Sequence, residues 1–245
     1  MIVLVDIGNT RTKCLIEQES TKTKQRIVIE NNQITLLWLT KHWKGASKVI
    51  IGSVKLGALT DLISTWAITH NVSVNFIESE KQRFGIINSY QQPKSLGVDR
   101  WLTMIGASIL FPKSGVAIID AGTATTFDVL DENGVHQGGL ILAGIDLMLA
   151  QLTANTSKVK FEVSNTTNIG LGKSTSECVN NAAWAATIGM INSAIKEAED
   201  LYNIQHCIFL GGNAERILPF VVSLNSKALI IDELIFEGLK RYSLY

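Results

Sequence analysis

Two short stretches of this sequence place an aspartate, a glycine and several hydroxyl side chains directly after an apolar run. The first is Asp-Ile-Gly at 6–8 and the second is Asp-Ala-Gly at 120–122. A tight turn with glycine lets backbone N–H groups approach phosphate oxygens closely. A carboxylate at its start can hold a divalent cation directly or through water, because Mg²⁺ usually keeps several waters. Both stretches therefore favour binding of a phosphate group and its metal ion.

The two stretches are copies of one longer pattern. Residues 2–13 read I-V-L-V-D-I-G-N-T-R-T-K, and residues 116–127 read V-A-I-I-D-A-G-T-A-T-T-F. Each predicts a buried strand, a tight turn and a second strand, and the copies lie close to half the chain apart. One such turn often serves structure alone. Two copies indicate a duplicated site, in which facing turns clamp a nucleoside triphosphate and its metal.

A third candidate group lies at the start of a predicted helix. Residues 90–101 read Y-Q-Q-P-K-S-L-G-V-D-R-W, so that Asp99 and Arg100 closely follow Gly97. An aspartate at a helix start is often only a cap. An Asp-Arg pair at the mouth of a cleft also supplies a base and a forked donor for an anion. The residue types alone leave both interpretations open.

The stretch N-I-G-L-G-K-S-T-S-E, residues 168–177, contains the Gly-Lys-Ser of a nucleotide-binding loop. That loop also needs a glycine at position 167, which is threonine here, and a buried strand before it, where this chain is polar. The stretch instead predicts a capping box, in which Ser174 accepts the N–H of Glu177 and the Glu177 carboxylate accepts the N–H of Ser174. A helix start with free N–H groups also suits a polar ligand. The apolar face predicted for the helix that follows comprises Cys178, Ala182, Ala185, Ile188, Ile191 and Ile195.

Composition excludes several classes of protein. The 22 basic and 22 acidic residues balance, which argues against a nucleic-acid binder, and 46% hydrophobic residues argue against disorder. Cys14, Cys178 and Cys207 form neither a disulfide framework nor a zinc pattern, and core packing is expected for Cys14 and Cys178. There is no signal-peptide pattern and no apolar run of about 18 residues. We expect a cytoplasmic protein with no nucleic-acid or membrane partner.

Strand and helix patterns alternate along the chain and predict an α/β fold. The division expected from the repeat is residues 1–114, with the first phosphate hairpin and the acceptor motif, and residues 115–245, with the second hairpin. Besides the two hairpins, predicted strands cover 26–30, 48–53, 207–210 and 228–231. Predicted helices cover 33–44, 56–70, 99–110, 144–153 and 175–203, and a final helix starts at 213.

The paired hairpins resemble those of the superfamily of acetate and sugar kinases, heat-shock chaperones and actin. That resemblance implies duplicated ribonuclease-H-like halves with a central cleft, the architecture of the actin-like ATPases. The sequence G-G-N-A at 211–214 resembles the adenosine-side motif of the superfamily.

The resemblance narrows to one family, the type III pantothenate kinases. The motifs that carry it are D-I-G-N-T at 6–10, the run at 90–101, D-A-G-T-A-T-T-F-D at 120–128 and G-G-L-I-L-A-G-I-D-L-M at 138–148. Their order and spacing match over essentially the whole chain. Two departures are an alanine at 143, where the family usually has proline, and Asn180-Asn181, where it often has glycine.

The resemblance implies ATP-dependent phosphorylation of pantothenate to 4′-phosphopantothenate, the first step of coenzyme A biosynthesis. Asp99 would be the catalytic base, Asp6 would hold Mg²⁺ through water, and Asp120 would hold a monovalent cation, K⁺ or NH₄⁺. The implied ATP-binding residues are Asp6, Ile7, Gly8, Asn9, Thr10, Arg11, Thr12, Lys13 and Thr123. The implied pantothenate-binding residues are Tyr90, Gly97, Val98, Asp99, Arg100 and Thr175.

The resemblance also implies a homodimer, although the apolar segment 182–191 is better interpreted as core than as an interface. Three alternatives stay open: a kinase for another acceptor, an ATP-binding accessory or regulatory protein, and an actin-like filament protein. The G-V-D-R-W context argues against another acceptor. The intact Asp6, Asp99 and Asp120 argue against a protein without turnover, and the chain is short for a filament protein.

Overall fold

The computed structural model describes residues 1–18, 22–54, 57–155, 159–222 and 225–244. The strands are β1 Ile2–Ile7, β2 Arg11–Gln18, β3 Thr23–Glu30, β4 Lys48–Ser53, β5 Ser73–Ile77, β6 Gln82–Arg83, β7 Ile86–Ile87, β8 Gly115–Ala121, β9 Ala124–Leu130, β10 His136–Ala143, β11 Ile204–Leu210 and β12 Lys227–Ile230. The α-helices are α1 Leu36–Trp43, α2 Ala58–His70, α3 Val98–Leu110, α4 Ile145–Asn155, α5 Thr175–Tyr202, α6 Ala214–Ile217 and α7 Leu234–Ser243. No helix within these described ranges is long and apolar enough to cross a membrane.

The chain forms two compact units, and the first comprises Met1–Leu110 and Glu233–Tyr245. Its five-stranded sheet has the order β3-β2-β1-β4-β5. Strands β1, β2 and β3 form an antiparallel meander, whereas β4 is parallel to both β1 and β5. The consecutive residues Val3, Leu4 and Val5 of β1 are all buried, so the central strand is covered on both faces.

Helices of the first unit cover the sheet on its two sides. Trp43 of α1 and Trp66 of α2 belong to one core cluster with Val3 and Val5. Helix α7 contacts β1 and β4 and packs closely along α3. Gly106 and Gly238 allow this close approach, because an added Cβ at either position would collide with backbone atoms of the other helix.

The second unit, Phe111–Asp232, repeats the same topology. Its sheet has the order β10-β9-β8-β11-β12, again an antiparallel meander followed by two parallel strands. Strand β8 therefore corresponds to β1, and the turn after each leads into an antiparallel partner. This repetition confirms the predicted α/β fold with duplicated halves.

The C-terminal segment differs from the sequence-based expectation. The helix predicted to start at 213 is only Ala214–Ile217, since Pro219 lacks the N–H that would continue it. The last helix is instead α7, and it packs in the first unit although the predicted division placed residues 115–245 together. Strand β5, with alternating burial at the edge of the first sheet, was not predicted.

Candidate active site

The first hairpin lies between β1, the central strand of its sheet, and β2. Asp6 and Lys13 are register partners, and Lys13 Nζ lies 3.8 Å from Asp6 Oδ2. The N–H of Gly8 donates to the carbonyl oxygen of Arg11 over 3.0 Å, which closes the turn. The Asp6 side chain is 13% exposed, so that its carboxylate is largely shielded but still reaches solvent at the end of the strand. The turn thus combines a carboxylate, an ammonium group and accessible backbone.

The side chains predicted to bind ATP in the first hairpin differ in their exposure to solvent. Asn9, Thr10 and Arg11 are exposed, and Gly8 is half-buried. The side chains of Ile7 and Thr12 are buried, and the Thr12 hydroxyl donates to Asn31 Oδ1 over 2.7 Å. Contacts of Ile7 and Thr12 with a ligand would therefore involve backbone atoms.

The second hairpin repeats this arrangement between β8 and β9. The N–H of Gly122 donates to the carbonyl oxygen of Ala124 over 3.0 Å, so this turn is one residue shorter than the first, where Gly8 bonds to Arg11. Thr123, at the tip, is exposed, and the N–H of Gly144 donates to its carbonyl oxygen over 3.0 Å. A Cβ at Gly144 would collide with the Gly122 and Thr123 carbonyl oxygens. Gly144 is therefore required where the chain passes close to these two carbonyl oxygens, whereas its neighbour Ala143 is under no such constraint.

Asp120 lies against Gly211, the first glycine of G-G-N-A. Gly211 has φ +88°, and a Cβ there would lie 2.5 Å from Asp120 Oδ1 and 2.8 Å from the Ala121 carbonyl oxygen. The N–H of Asn213 donates to that same carbonyl over 3.1 Å. This ties the turn after β11 to the end of β8, with carboxylate and carbonyl oxygens close together.

The acceptor motif forms the start of α3. Asp99 is in the first turn, and its Oδ1 accepts the N–H of Arg100 over 2.9 Å. A Cβ at Gly97 would lie 2.5 Å from that Oδ1, so the glycine makes room for the carboxylate. The adjacent Val98 side chain is buried and anchors the helix start. The half-buried Asp99 side chain is therefore fixed in orientation.

Arg100, the residue that follows Asp99 in the sequence, forms a hydrogen-bonded pair with Tyr90. The Arg100 side chain is only 5% exposed, and its Nη1 donates to the Tyr90 hydroxyl over 2.8 Å. Its guanidinium carbon also lies 5.7 Å from the centre of the Tyr90 ring. A buried guanidinium with a tyrosine hydroxyl offers directed donors to a carboxylate or another polar group.

The loop that carries Tyr90 depends on Asn88, a residue that was not predicted to matter. Asn88 is fully buried, and its Oδ1 accepts the N–H of Tyr90 over 3.0 Å. Its Nδ2 donates to the carbonyl oxygens of Glu80 and Pro93, each over 3.1 Å. The sequence gives only a weak signal, an asparagine before a serine in a turn-rich segment.

Helix α3, which begins with the acceptor motif, packs on β4, the strand next to β1. Gly52 of β4 pairs with Asp6 of β1, and a Cβ at Gly52 would lie 2.5 Å from Leu102 Cδ1. Leu102 follows Asp99 by three residues on α3, which places it one turn further along the helix. The packing of Leu102 on Gly52 therefore places α3 against β4 at the level of Asp6, the penultimate residue of β1.

The stretch around residue 172 is the start of α5 and not a phosphate loop. No strand precedes it, since residues 159–173 lack regular structure. Ser174 accepts the N–H of Glu177 over 3.2 Å, as predicted for the cap. The other half of the capping box was wrong, because the Glu177 carboxylate accepts the N–H of Lys173 over 2.6 Å and not that of Ser174. Thr175 is exposed at the first position of the helix.

Asn180 and Asn181, which depart from the family pattern, hold the segment before α5 against the helix. Asn180 is buried; its Nδ2 donates to the Glu162 carbonyl over 2.8 Å and its Oδ1 accepts the Ser164 N–H over 2.8 Å. Asn181 Nδ2 donates to the Gly170 carbonyl over 2.8 Å. The two asparagines therefore fix the chain that leads to Thr175.

The apolar face of α5 was only partly predicted. Ile188, Ile191 and Ile195 lie in the core of the second unit, which agrees with the core interpretation of 182–191, and Ala185 is half-buried. Ala182 and Cys178 are exposed. The prediction of core packing for Cys178 was wrong, because the helix turns this first-turn position outward; Cys14 is buried as predicted.

The two buried thiols are poor nucleophiles. Burial raises the pKa of Cys14 to about 12, the Asp6 carboxylate adds to the increase, and the Trp43 indole N–H opposes it. Burial raises the pKa of Cys207 to about 11, which the hydrogen bond to Ser226 lowers and Glu199 raises. A thiol with so high a pKa is almost entirely protonated near neutral pH.

The oxygen donors suit hard cations. Within the described ranges, no group of three or more His, Cys, Asp and Glu side chains could hold a metal alone. Mg²⁺ is usually bound by one or two carboxylates, waters and substrate phosphates, which fits the single carboxylate of Asp6 at its hairpin. The Asp120 carboxylate beside the Ala121 carbonyl likewise offers oxygen ligands for a cation.

A family model described as type III pantothenate kinase matches residues 2–197. A type III pantothenate kinase of Colwellia psychrerythraea is 39% identical over 252 residues, covering 99% of this chain and 100% of that protein. One from Pseudoalteromonas translucida is 37% identical, covering 86% of this chain and 85% of that protein.

Two solved structures share the fold. A Campylobacter jejuni protein described as a Baf family transcriptional activator has a TM-score of 0.63 at 18% identity, covering 98% of this chain and 96% of its own. A Sinorhizobium meliloti protein described as a 2-dehydro-3-deoxygalactonokinase has a TM-score of 0.64 at 12% identity, covering 99% and 98%. At sequence identities of 18% and 12%, the similarity shows a shared fold and nothing about activity.

Proposed function

The chain belongs to the type III pantothenate kinase family, and we propose that it transfers the γ-phosphoryl group of ATP to pantothenate. The product would be 4′-phosphopantothenate, and the reaction is the first step of coenzyme A biosynthesis. The proteins that match over nearly the whole chain bear this activity in their names.

The observation that carries the proposal is the packing of Leu102 on Gly52. This packing supports a placement of the helix start that bears Asp99 near the end of β1, where Asp6 and the first hairpin lie. A kinase needs its acceptor group beside its phosphate site, because most of the rate of phosphoryl transfer comes from positioning and charge stabilisation.

Asp99 is the proposed general base. The pantothenate hydroxyl oxygen would attack the γ-phosphorus while the bond from that phosphorus to the β,γ-bridging oxygen breaks, and ADP would leave. Asp99 would accept the hydroxyl proton, for which it must lie within about 2.6–3.2 Å of the hydroxyl oxygen or one water away. The hydrogen bond from the Arg100 N–H to Oδ1 supports this role, since it orients the carboxylate and leaves its second oxygen for the proton.

Arg100 and Tyr90 are the proposed pantothenate anchors, with Gly97 and Val98 shaping the site and Thr175 adding a hydroxyl. The buried guanidinium of Arg100, linked to the Tyr90 hydroxyl, suits the pantothenate carboxylate or a nearby polar group. The exposure of Thr175 at the start of α5 is compatible with a substrate contact.

Residues 6–13 are the proposed phosphate site, with Thr123 as a further ATP contact. Backbone N–H groups of the turn and the Lys13 ammonium would bind phosphate oxygens. Mg²⁺, bound to ATP and held by Asp6 through water, would neutralise charge on the phosphates. Because Thr12 is buried, it would support the turn through its hydrogen bond to Asn31 and not touch ATP with its side chain.

Asp120 is proposed to hold a monovalent cation, K⁺ or NH₄⁺. The adjacent Ala121 carbonyl oxygen and the tight packing of Gly211 support this, because backbone carbonyl oxygens can replace the hydration shell of K⁺. We further propose a homodimer, for which the exposed Leu140 and Ile141 on the edge strand β10 provide apolar surface. A cytoplasmic location is proposed because ATP is the phosphoryl donor.

The deciding experiment measures ADP release by the purified protein with Mg-ATP, with and without pantothenate, and with K⁺ or Na⁺ as the only monovalent cation. We expect ADP release to require both pantothenate and K⁺. Release that is indifferent to pantothenate would indicate another acceptor. ATP binding without ADP release under all four conditions would indicate an accessory or regulatory protein.

A further inference from the structure

Asn31 makes three hydrogen bonds to the first hairpin turn, residues 8–10. It is the first residue after β3, and because Glu30 pairs with Arg11, Asn31 lies beside the turn. Its Nδ2 donates to the carbonyl oxygen of Gly8 over 2.9 Å and to that of Asn9 over 3.3 Å. Its backbone N–H donates to the carbonyl oxygen of Thr10 over 3.0 Å. A single residue thus binds all three carbonyl oxygens of the turn.

The buried Thr12 hydroxyl fixes the orientation of the Asn31 amide. Thr12 Oγ1 donates to Asn31 Oδ1 over 2.7 Å. The two carbonyls require a donor, which only Nδ2 supplies, so Oδ1 must face the hydroxyl. The contacts therefore form one consistent network of four partners.

The network determines which backbone groups the turn offers to a ligand. With the carbonyl oxygens of Gly8, Asn9 and Thr10 bound to Asn31, the negative ends of three peptide dipoles face that residue. Within the part of the chain that the structure describes, no backbone carbonyl oxygen accepts a hydrogen bond from the N–H of Asn9 or of Thr10. Backbone N–H groups that point together from a turn form an anion-binding concavity.

We propose that Asn31 is a positioning residue for ATP, which holds the turn 8–10 so that its N–H groups face the phosphates. It acts through the turn and does not touch the nucleotide. The inference rests on one part of the proposed function, namely that the turn 8–10 binds the phosphates of ATP. It predicts an effect that grows with the number of phosphates, whereas a purely structural brace would affect folding and every ligand alike.

The test compares Asn31→Asp with Asn32→Asp. Aspartate has nearly the size of asparagine but removes both Nδ2 donors and leaves the acceptor for Thr12. Asn32 is the exposed neighbour in the same short helical turn, so Asn32→Asp adds the same charge one residue away. Asn31→Ser, which is neutral and too short to reach the carbonyls, separates loss of the donors from added charge.

Dissociation constants are measured by calorimetry for Mg-ATP and for adenosine, without pantothenate. For Asn31→Asp we expect the affinity for Mg-ATP to fall by about tenfold or more, because the turn is no longer held in place and loses one or two hydrogen bonds to the phosphates. The affinity for adenosine should fall by at most about twofold. Asn31→Ser should show the same selectivity, and Asn32→Asp should match the wild type. In turnover assays the KM for ATP should rise while the KM for pantothenate stays unchanged.

The inference is overturned if both Asn31 variants bind Mg-ATP as tightly as Asn32→Asp, or if they lose Mg-ATP and adenosine affinity equally. Unfolding temperatures identify a variant that fails to fold; should Asn31→Asp do so, Asn31→Ser decides by the same criteria. The binding assay contains no acceptor, so a protein that does not phosphorylate pantothenate would still test Asn31. Failure of the proposed function is thereby distinguishable from failure of this inference.

Discussion

Leu102 of α3 packs directly on Gly52 of β4, so closely that a Cβ at position 52 would lie 2.5 Å from Leu102 Cδ1. Gly52 is the register partner of Asp6, and Leu102 lies one helical turn beyond Asp99. The missing side chain at position 52 therefore leaves room for Leu102, and with it for the close packing of α3 on the strand next to β1.

Gly52→Ala is expected to lower the free energy of unfolding by about 1–3 kcal/mol, because the new methyl group overpacks against Leu102. Chemical denaturation measures the change. Combining it with Leu102→Ala should cost less than the sum of the two single changes, since the shortened side chain removes the clash. Gly189→Ala is the control, an exposed helical position with free space around the Cβ, where we expect a gain of up to about 1 kcal/mol. Strictly additive effects of the first pair would contradict the close packing.

Asp99→Asn is expected to reduce turnover by about 10²–10⁴-fold, the usual contribution of a general base, while Mg-ATP affinity survives. Steady-state kinetics and calorimetry measure the two quantities. Asp61→Asn is the matched control, an exposed acid in the first turn of α2 that should keep wild-type turnover. Near-wild-type turnover in Asp99→Asn would exclude it as the base.

Asp120→Asn is expected to change the dependence of activity on K⁺, because the amide removes the negative charge that attracts the cation. A K⁺ titration at fixed ionic strength should shift to higher concentrations or lose its response. Asp200→Asn, an exposed residue near the end of α5, is the control. An unchanged titration would rule out Asp120 as the cation ligand.

Gly211→Ala is expected to destabilise the protein, since the methyl group would meet Asp120 Oδ1 at 2.5 Å and φ +88° is unfavourable for alanine. Gly212→Ala is the matched control, because nothing lies within 4 Å of a Cβ at that position. We expect Gly211→Ala to unfold at a clearly lower temperature and Gly212→Ala to change it little. Equal unfolding temperatures for the two variants would count against the close contact of Gly211 with Asp120.

The three cysteines should differ greatly in how fast they react at pH 8 with an aromatic disulfide that labels thiols. Cys178 is exposed, whereas Cys14 and Cys207 are buried with pKa values raised to about 12 and about 11. A raised pKa means that the thiolate, the reactive form, is scarce until the pH approaches that value. We expect one rapid reaction per native chain and three in denaturant, and Cys178→Ser should abolish the rapid one. Rapid labelling of two thiols in the native protein would contradict the burial.

The sequence alone determined the local architecture and the motifs. Alternating apolar residues and the Asp-x-Gly turns predicted both hairpins, and the capping pattern placed the start of α5 at Thr175, as observed. These features are encoded within about ten residues, by side-chain periodicity and by the few residues that permit tight turns. The duplicated topology followed from the repeat, because equivalent strand–turn–strand patterns fold alike.

Only the tertiary structure decided which distant residues meet. Nothing near Asn31 signals that its amide binds the turn at 8–10, and nothing near Gly52 signals Leu102. The assignment of α7 to the first unit was likewise not predicted. The physical reason is that the burial of polar groups and the fit of side chains depend on residues brought together by the whole fold, which no local pattern specifies.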